Sequence, residues 1–219
     1  MRLFCLDLEG VLIPEIWIGL AERTGIDALR ATTRDVSDYD ALMRQRLRLL
    51  ERHRLGLRDV EAVVAKMAPL PGAREFLRWL RELGPVIVLS DTYREFAGPL
   101  MAQLDLPALF CHSLVVGPDG DIVDYRLRHP DHKRASVEAF RALNFHVTAA
   151  GDSHNDIAML KAADAGILFR APAALRQAHP GFAAVEDYGA LSDAIRDCAS
   201  APKCDAGPCV PPPAGRAVR

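Results

Sequence analysis

The sequence predicts an α/β fold: a doubly wound parallel (Rossmann-like) sheet with an inserted helical cap and a small β-hairpin. Two observations predict the sheet. Short runs rich in Val, Ile, Leu and Phe recur along the chain, and segments with helical spacing of apolar residues separate them. Such an alternation is typical of parallel strands joined by right-handed helical crossovers. A third observation predicts the cap, because the long segment 14–69 contains no strand-like run.

The predicted elements follow one another along the whole chain. The strands are Arg2–Leu6, Val86–Leu89, His146–Ala150, Ala165–Phe169 and a weaker Ala183–Val185. The helices are Gly72–Leu83, Tyr93–Leu104, Lys133–Leu143, Asp156–Ala163 and Tyr188–Cys198. Phe110–Leu127 predicts a hairpin, because the turn sequence Gly-Pro-Asp-Gly separates two apolar runs.

These elements predict the domain organisation. We expect 1–13 together with 70–198 to form the α/β core, and 14–69 to form a cap of several helices. The last 21 residues contain five prolines and two glycines, which disfavour both helices and strands. We therefore expect 199–219 to be a disordered tail.

Composition excludes several classes of protein. Half of the 219 residues are apolar and 26% are charged, as in globular proteins. The net charge of −2 lacks the basic excess that nucleic-acid binding requires. No apolar run approaches the ~18 residues that span a membrane, and Asp7 argues against a signal peptide. We expect a cytoplasmic protein. Its five cysteines include no Cys-x-x-Cys pair, so we expect neither a zinc site nor a disulfide framework.

Side chains that can do chemistry stand where the predicted strands end. Ligands of parallel sheets bind outside the carboxyl ends of the strands. The residues at these ends are Asp7, Glu9, Ser90, Asp91, Asp152 and Asp156. Lys133 begins the helix between the strands Val86–Leu89 and His146–Ala150. Clustered carboxylates need a cation, and oxygen ligands beside a phosphate favour Mg²⁺. Because a carboxylate can also attack a phosphoryl group, the set predicts phosphoryl transfer.

Four of these segments resemble, in order, the four motifs of the haloacid-dehalogenase superfamily of phosphatases. They are Phe-Cys-Leu-Asp-Leu-Glu-Gly-Val-Leu, Val-Leu-Ser-Asp-Thr, Asp-His-Lys-Arg and Gly-Asp-Ser-His-Asn-Asp-Ile-Ala-Met-Leu. Asp-Leu-Glu-Gly-Val followed by Pro-Glu-Ile-Trp is similar to a phosphoserine-phosphatase-like branch of that superfamily. This branch includes a bifunctional enzyme that also transfers the phosphoryl group to homoserine. The resemblance implies a Mg²⁺-dependent phosphoserine phosphatase that acts through an aspartyl-phosphate, with homoserine as a second acceptor.

The resemblance also implies roles for individual residues. Asp7 would be the nucleophile, and Glu9 would be the general acid and base. Asp7, Asp152 and the backbone carbonyl of Glu9 would bind the metal, and Asp156 would stand beside them. The substrate-binding residues would be Ser90, Asp91, Lys133 and Asn155. Most members of the superfamily have Asp at the position of Glu9, so the longer side chain leaves its reach open.

Arg46 is supported by helical geometry. On a helix through Tyr39–His53 it falls inside the apolar arc, where a guanidinium needs an anionic partner. The opposite face carries Arg44, Arg48 and Arg52, which we expect to be solvated. A substrate carboxylate would pair with Arg46 and a substrate ammonium with Glu15, which together would clamp an amino acid. The alternatives are a structural ion pair for Arg46 and a helix-start role for Glu15.

Simpler interpretations and other functions remain open. The acids at the strand ends could cap helices. His112, His129 and His146 lack metal-ligand spacing and are interpreted as surface or satisfied residues, and Trp17 and Trp79 as core residues. The alternative functions are a phosphatase of a nucleotide or sugar phosphate, and a non-catalytic phosphate-binding regulator. A metal-free dehalogenase is disfavoured because Asp7, Glu9 and Asp152 are all present.

Overall fold

The computed structural model describes residues 1–32, 35–36 and 38–200. Its strands are β1 (Arg2–Leu6), β2 (Val86–Tyr93), β3 (Ala108–Val116), β4 (Ile122–Arg126), β5 (His146–Gly151), β6 (Ala165–Phe169) and β7 (Ala183–Val185). Its helices are α1 (Ile16–Thr24), α2 (Tyr39–His53), α3 (Leu57–Val64), α4 (Ala73–Leu83), α5 (Arg94–Gln103), α6 (His132–Ala142), α7 (Ile157–Ala162), α8 (Ala173–Ala178) and α9 (Tyr188–Ser200). Short 3₁₀ turns occur at Asp27–Arg30 and His154–Asp156.

The seven strands form one sheet in the order β4-β3-β2-β1-β5-β6-β7. All neighbouring pairs are parallel except β3 and β4. The chain therefore builds the sheet outward from β1 in one direction and then returns to β5 to build it in the other. This arrangement confirms the predicted doubly wound fold, and it places the change of direction, where ligands bind in such sheets, beside β1.

Both faces of the central strand are buried, which explains its unbroken apolar run. Phe4 and Leu6 join a large cluster that includes residues of α1, α2, α4 and α5, whereas Leu3 and Cys5 join a cluster with residues of α6 and α7. A strand covered on both sides has no solvent-facing position, so its sequence does not alternate between apolar and polar residues.

The predicted hairpin is present, and it is the edge of the main sheet. β3 begins at Ala108 and pairs with β2 in parallel before it turns into β4. β2 itself continues to Tyr93, past the predicted end at Leu89, with an irregular register over the polar residues that hid its continuation. Ser90 and Asp91 thus lie within the last part of β2, still at its carboxyl end. Helix α8, a short helix that follows Pro172, is not among the predicted helices.

The segment 14–69 contains α1, the turn Asp27–Arg30, α2 and α3. The buried face of α2 consists of Leu42, Met43, Arg46, Leu47 and Leu50, as its helical projection predicts. Arg44, Arg48 and Arg52 are exposed, which confirms that prediction as well. The division of the chain into a core and a cap stays a prediction.

Helix α2 is tied to the hairpin by two polar contacts. The Arg44 guanidinium lies 2.9 Å from Asp124 Oδ1, and the Tyr125 hydroxyl donates to Asp40 over 2.5 Å. The contacts bring the helix that carries Arg46 against the edge of the sheet.

At the carboxyl end of the chain, α9 continues to Ser200, two residues further than predicted. The rest of the predicted disordered tail, 201–219, lies outside the described residues. Among the helices described, none combines the length and the apolar character that a bilayer span requires.

Candidate active site

A cavity opens at the carboxyl ends of β1, β2 and β5, between the sheet and helices α1 and α2. Its lining includes every predicted site residue except Asp156, which lies directly beneath it. The lining residues are Asp7, Glu9, Glu15, Trp17, Thr32, Tyr39, Arg46, Ser90, Asp91, Lys133, Asp152, Ser153 and Asn155. The fold thus brings together residues that are up to 148 positions apart in the sequence, from Asp7 to Asn155.

Lys133 lies at the centre of the buried charges. Its Nζ is 2.9 Å from Asp7 Oδ1 and 2.8 Å from Asp156 Oδ1. Burial and the nearby Asp156 raise the pKa of Asp7 well above its usual range, and Lys133 opposes that rise. Although burial disfavours the ammonium, Asp156 and Asp7 hold the pKa of Lys133 well above its usual value. An ammonium therefore stands next to the proposed nucleophile.

Asp156 organises this part of the site from below. Its Oδ2 accepts the backbone N–H of Asp152 at 2.9 Å and that of Ser153 at 3.1 Å, while its Oδ1 accepts from Lys133. The side chain is fully buried. Both of its oxygens therefore accept from protein donors, and they lie close to carboxylate oxygens of Asp7 and Asp152.

The acids fit a divalent cation. Carboxylate oxygens of Asp7, Asp152 and Asp156 lie within 4.8 Å of one another, and all three residues are buried. Such oxygen donors favour a hard ion such as Mg²⁺. A Cβ added to Gly10 would lie 2.4 Å from Asp152 Oδ2, so the loop after β1 leaves room for this carboxylate because position 10 has no side chain. The residues that could hold the ion are Asp7 and Asp152.

The structure answers the question of how far Glu9 reaches. Its Oε2 accepts the backbone N–H of Ile16, the first residue of α1, at 2.9 Å. Burial, followed by the neighbouring Glu15, raises the pKa of Glu9 to about 8 despite the opposing effect of this hydrogen bond. A carboxyl group with such a pKa can give up and take back a proton near neutral pH. The bond to Ile16 also joins Glu9, in the loop after β1, to the start of α1.

The far end of the cavity is built around Arg46. Its Nη2 donates to the carbonyl of Ala31 over 2.9 Å, and its guanidinium carbon lies 4.4 Å from the ring centre of Trp17. The buried Nε has no hydrogen-bond partner among the residues that the structure describes. No ion pair joins Arg46 to a carboxylate within the same residues, so the alternative of a structural ion pair is not supported. An unpartnered donor here is suited to an anionic ligand.

Trp17 corrects the interpretation of the tryptophans. It packs in the large apolar cluster as expected, but its ring also lines the cavity beneath Arg46. Its place on the first turn of α1, two residues after Glu15, does not by itself distinguish a ring that lines the cavity from a ring in the core. Trp79 packs against the same cluster and is absent from the cavity lining.

Asp91 is surrounded by donors that the sequence analysis did not connect with it. Its Oδ1 lies 3.0 Å from His132 Nε2 and 3.3 Å from His112 Nε2, and its Oδ2 accepts from Asn155 Nδ2 at 2.6 Å. Burial opposes ionisation, but Lys133 and the two histidines hold the pKa of Asp91 well below its usual range. His112 is thus a buried residue whose two ring nitrogens both have partners, and of the two predicted possibilities, surface or satisfied, it is the second.

Comparison with known proteins agrees with this geometry. The model of the haloacid dehalogenase-like hydrolase family matches residues 1–164. The chain belongs to this hydrolase family. Among its relatives, phosphoserine phosphatase ThrH of Pseudomonas aeruginosa is 56% identical over 188 residues, which cover 86% of this chain and 92% of that protein. A phosphoserine phosphatase of Pseudomonas syringae pv. tomato is 54% identical over 191 residues, covering 87% of this chain and 81% of that protein.

A solved structure shares the fold of this hydrolase. The apo form of a phosphoserine phosphatase superposes with a TM-score of 0.72 at 22% identity, covering 89% of this chain and 98% of that chain. At this identity the likeness concerns the fold alone.

Replacement of Gly10 should weaken metal binding by this haloacid dehalogenase-like hydrolase. The Cβ of Gly10→Ala would occupy the space of the Asp152 carboxylate, so we expect the Mg²⁺ concentration for half-maximal hydrolysis of p-nitrophenyl phosphate to rise roughly 10- to 100-fold. Gly25→Ala is the control, because Gly25 has a similar φ of +73° but no atom within 4 Å of the added Cβ. Equal Mg²⁺ requirements in the two variants would contradict the prediction.

Two substitutions at Glu9 test separately the length of its side chain and its ability to transfer a proton. Glu9→Asp keeps a carboxyl group but loses the bond to Ile16, and we expect kcat to fall roughly 10- to 100-fold. Glu9→Gln keeps the reach but cannot transfer a proton, and we expect a loss of roughly 100- to 10,000-fold, the range of general acid–base catalysis. The measurement is kcat for p-nitrophenyl phosphate. A wild-type rate in Glu9→Asp would show that the extra methylene has no role.

Proposed function

We propose that this hydrolase is a Mg²⁺-dependent phosphoserine phosphatase that acts through an aspartyl-phosphate and can also transfer the phosphoryl group to homoserine. One observation carries the proposal: the carboxylates around Asp7 and the side chain of Arg46, whose Nε has no hydrogen-bond partner among the described residues, belong to the lining of one cavity. A phosphate ester and a carboxylate on one small molecule would satisfy both ends. The names of the two relatives above support the same activity.

The cap end of the cavity would recognise the amino acid. The Arg46 guanidinium, fixed by Ala31 and Trp17, would bind the substrate carboxylate, and Glu15 would bind the substrate ammonium. A charge-assisted bond to a buried guanidinium is among the stronger polar contacts in proteins. This end would favour phosphoserine over esters without an amino-acid group.

The first chemical step is an attack by Asp7. One carboxylate oxygen of Asp7 forms a bond to phosphorus while the bond from phosphorus to the serine oxygen breaks, and Glu9 gives its proton to that oxygen. Lys133 and Ser90 would bind the remaining phosphoryl oxygens, and one amide hydrogen of Asn155 is left for the substrate after its bond to Asp91. Mg²⁺, held by Asp7, Asp152 and the backbone carbonyl of Glu9, would supply the positive charge that offsets the acids and the phosphoryl group.

The second step releases the phosphoryl group from Asp7. Glu9, now ionised, takes a proton from water, and the water oxygen attacks phosphorus to restore the Asp7 carboxylate. The homoserine hydroxyl would react in the same way, because homoserine also carries the carboxylate and ammonium that Arg46 and Glu15 would bind. Water and homoserine would thus compete for one aspartyl-phosphate.

The state of the cysteines fits an enzyme of the cytoplasm, which is where we propose that it works. Cys5 and Cys111 are buried free thiols in the described part of the chain. A reducing compartment preserves such thiols.

The direct test is turnover of phosphoserine with Mg²⁺, with and without homoserine. We expect free phosphate in the first case and additional phosphohomoserine in the second. Chelation of the metal should stop both reactions, and Asp7→Asn should abolish them, because an amide cannot attack phosphorus. Faster hydrolysis of a nucleotide or a sugar phosphate than of phosphoserine would contradict the proposed substrate.

A pair of arginines on α2 tests the recognition of the carboxylate. Arg46→Ala should lower kcat/KM for phosphoserine roughly 10- to 100-fold, the range expected for a lost charge-assisted pair. It should affect p-nitrophenyl phosphate, which has no carboxylate, much less. Arg48→Ala, on the exposed face of the same helix, should change neither. Equal losses on both substrates in Arg46→Ala would assign Arg46 to the phosphate or to the fold of the cap.

A further inference from the structure

Two buried histidines beside the cavity have no part in the reaction described above. His112 on β3 and His132 at the start of α6 are 2% and 3% exposed, and their ring centres are 4.6 Å apart. In both rings Nε2 points toward Asp91 Oδ1, which lies 3.3 Å from His112 Nε2 and 3.0 Å from His132 Nε2. Three separate elements, β2, β3 and α6, therefore meet at one carboxylate oxygen.

The protonation of His112 shows what this cluster does. Its Nδ1 accepts the backbone N–H of Arg128 at 3.2 Å, so in the neutral ring the proton is on Nε2. A protonated Nε2 donates to Asp91 and cannot ligate a metal. Although the ligand atoms of Asp91, His112 and His132 are close enough together for an ion, the cluster is a set of donors around a carboxylate.

The other oxygen of Asp91 faces the phosphoryl end of the cavity. Oδ2 accepts from Asn155 Nδ2 at 2.6 Å and lies 3.6 Å from Lys133 Nζ. The Asn155 amide is fixed on its other side, where its Oδ1 accepts from the Ser153 hydroxyl. The family resemblance implies a substrate-binding role for Asp91. Its two oxygens already face four protein donors, however, and its negative charge would repel the phosphate of a substrate.

We propose that His112 and His132 are positioning residues, which hold Asp91 so that its second oxygen orients Lys133 and Asn155 toward the phosphoryl group. His132 precedes Lys133 directly on the first turn of α6, so its bond to Asp91 fixes the turn that carries the lysine. The other partners of Lys133 are Asp7, which changes during the reaction, and Asp156. Asp91 is the partner of Lys133 that is held in turn by the Nε2 atoms of two buried histidines.

The experiment compares His132→Leu, which removes the donor, with His132→Gln, which retains one. The readouts are the inhibition constant of inorganic phosphate, kcat/KM for phosphoserine and for p-nitrophenyl phosphate, and the thermal midpoint. We expect His132→Leu to raise the inhibition constant and to lower kcat/KM about tenfold or more on both substrates alike, because the affected contacts are to phosphate. His132→Gln should stay within about threefold of the wild type. His53→Leu, at an exposed histidine in the last turn of α2, is the control and should change nothing.

A double substitution tests whether His132 acts through Asp91. Asp91→Asn should weaken phosphate binding as His132→Leu does, and adding His132→Leu to it should cause little further loss, because residues in one network are not additive. The proposal is overturned by wild-type phosphate binding in Asp91→Asn, by additive losses in the double variant, or by equal losses in His132→Gln and His132→Leu. If His132→Leu does not fold, the Asp91→Asn and His132→Gln results decide alone.

The outcome is independent of the substrate proposed above. An enzyme that hydrolyses p-nitrophenyl phosphate but not phosphoserine would disprove that substrate. The same protein would still report whether the histidines position the residues that contact phosphate.

Discussion

The site depends on one buried ammonium. Lys133 is 3% exposed and lies within 3.6 Å of carboxylate oxygens of Asp7, Asp91 and Asp156. A charge without water is costly unless oppositely charged groups surround it, and the loss of any partner leaves another charge uncompensated. Because Asp91 lies on β2 while Asp7 and Asp156 lie in the segments that follow β1 and β5, the lysine requires the three strand ends to be close together. The same requirement brings the proposed nucleophile and the proposed metal ligands into one place.

This arrangement separates the residues proposed for the chemistry from those proposed for recognition of the substrate. The acids and Lys133 lie at the strand ends, whereas Glu15, Trp17 and Arg46 lie on the segment between β1 and α4. Glu9 is the direct link between the two groups, since it follows β1 and accepts the first N–H of α1. A shorter Asp at position 9 would have less reach toward Ile16. The glutamate therefore fits the position of α1 in this chain.

Periodicity and residue order predicted most of the fold, because the apolar runs of a doubly covered sheet are conspicuous. They did not predict the continuation of β2 to Tyr93, since Ser90 and Asp91 interrupt the apolar run. They also did not predict that β3 belongs to the main sheet. A turn sequence indicates which two strands form a hairpin, but it does not indicate that β2 lies beside them. Helix α8 has six residues, too few for a helical period to emerge.

The residues of the site could also be predicted only in part. Residues directly after strands could be predicted, because the carboxyl ends of parallel strands share an edge whatever the packing around them. Arg46 could be predicted, because a charge inside an apolar arc is anomalous on one helix alone. His132 and Trp17 could not, since a histidine at a helix start and a tryptophan in a core are ordinary taken singly. Their significance lies in contacts across 41 residues to Asp91 and with the Arg46 guanidinium, and only the packing of separate elements creates those contacts.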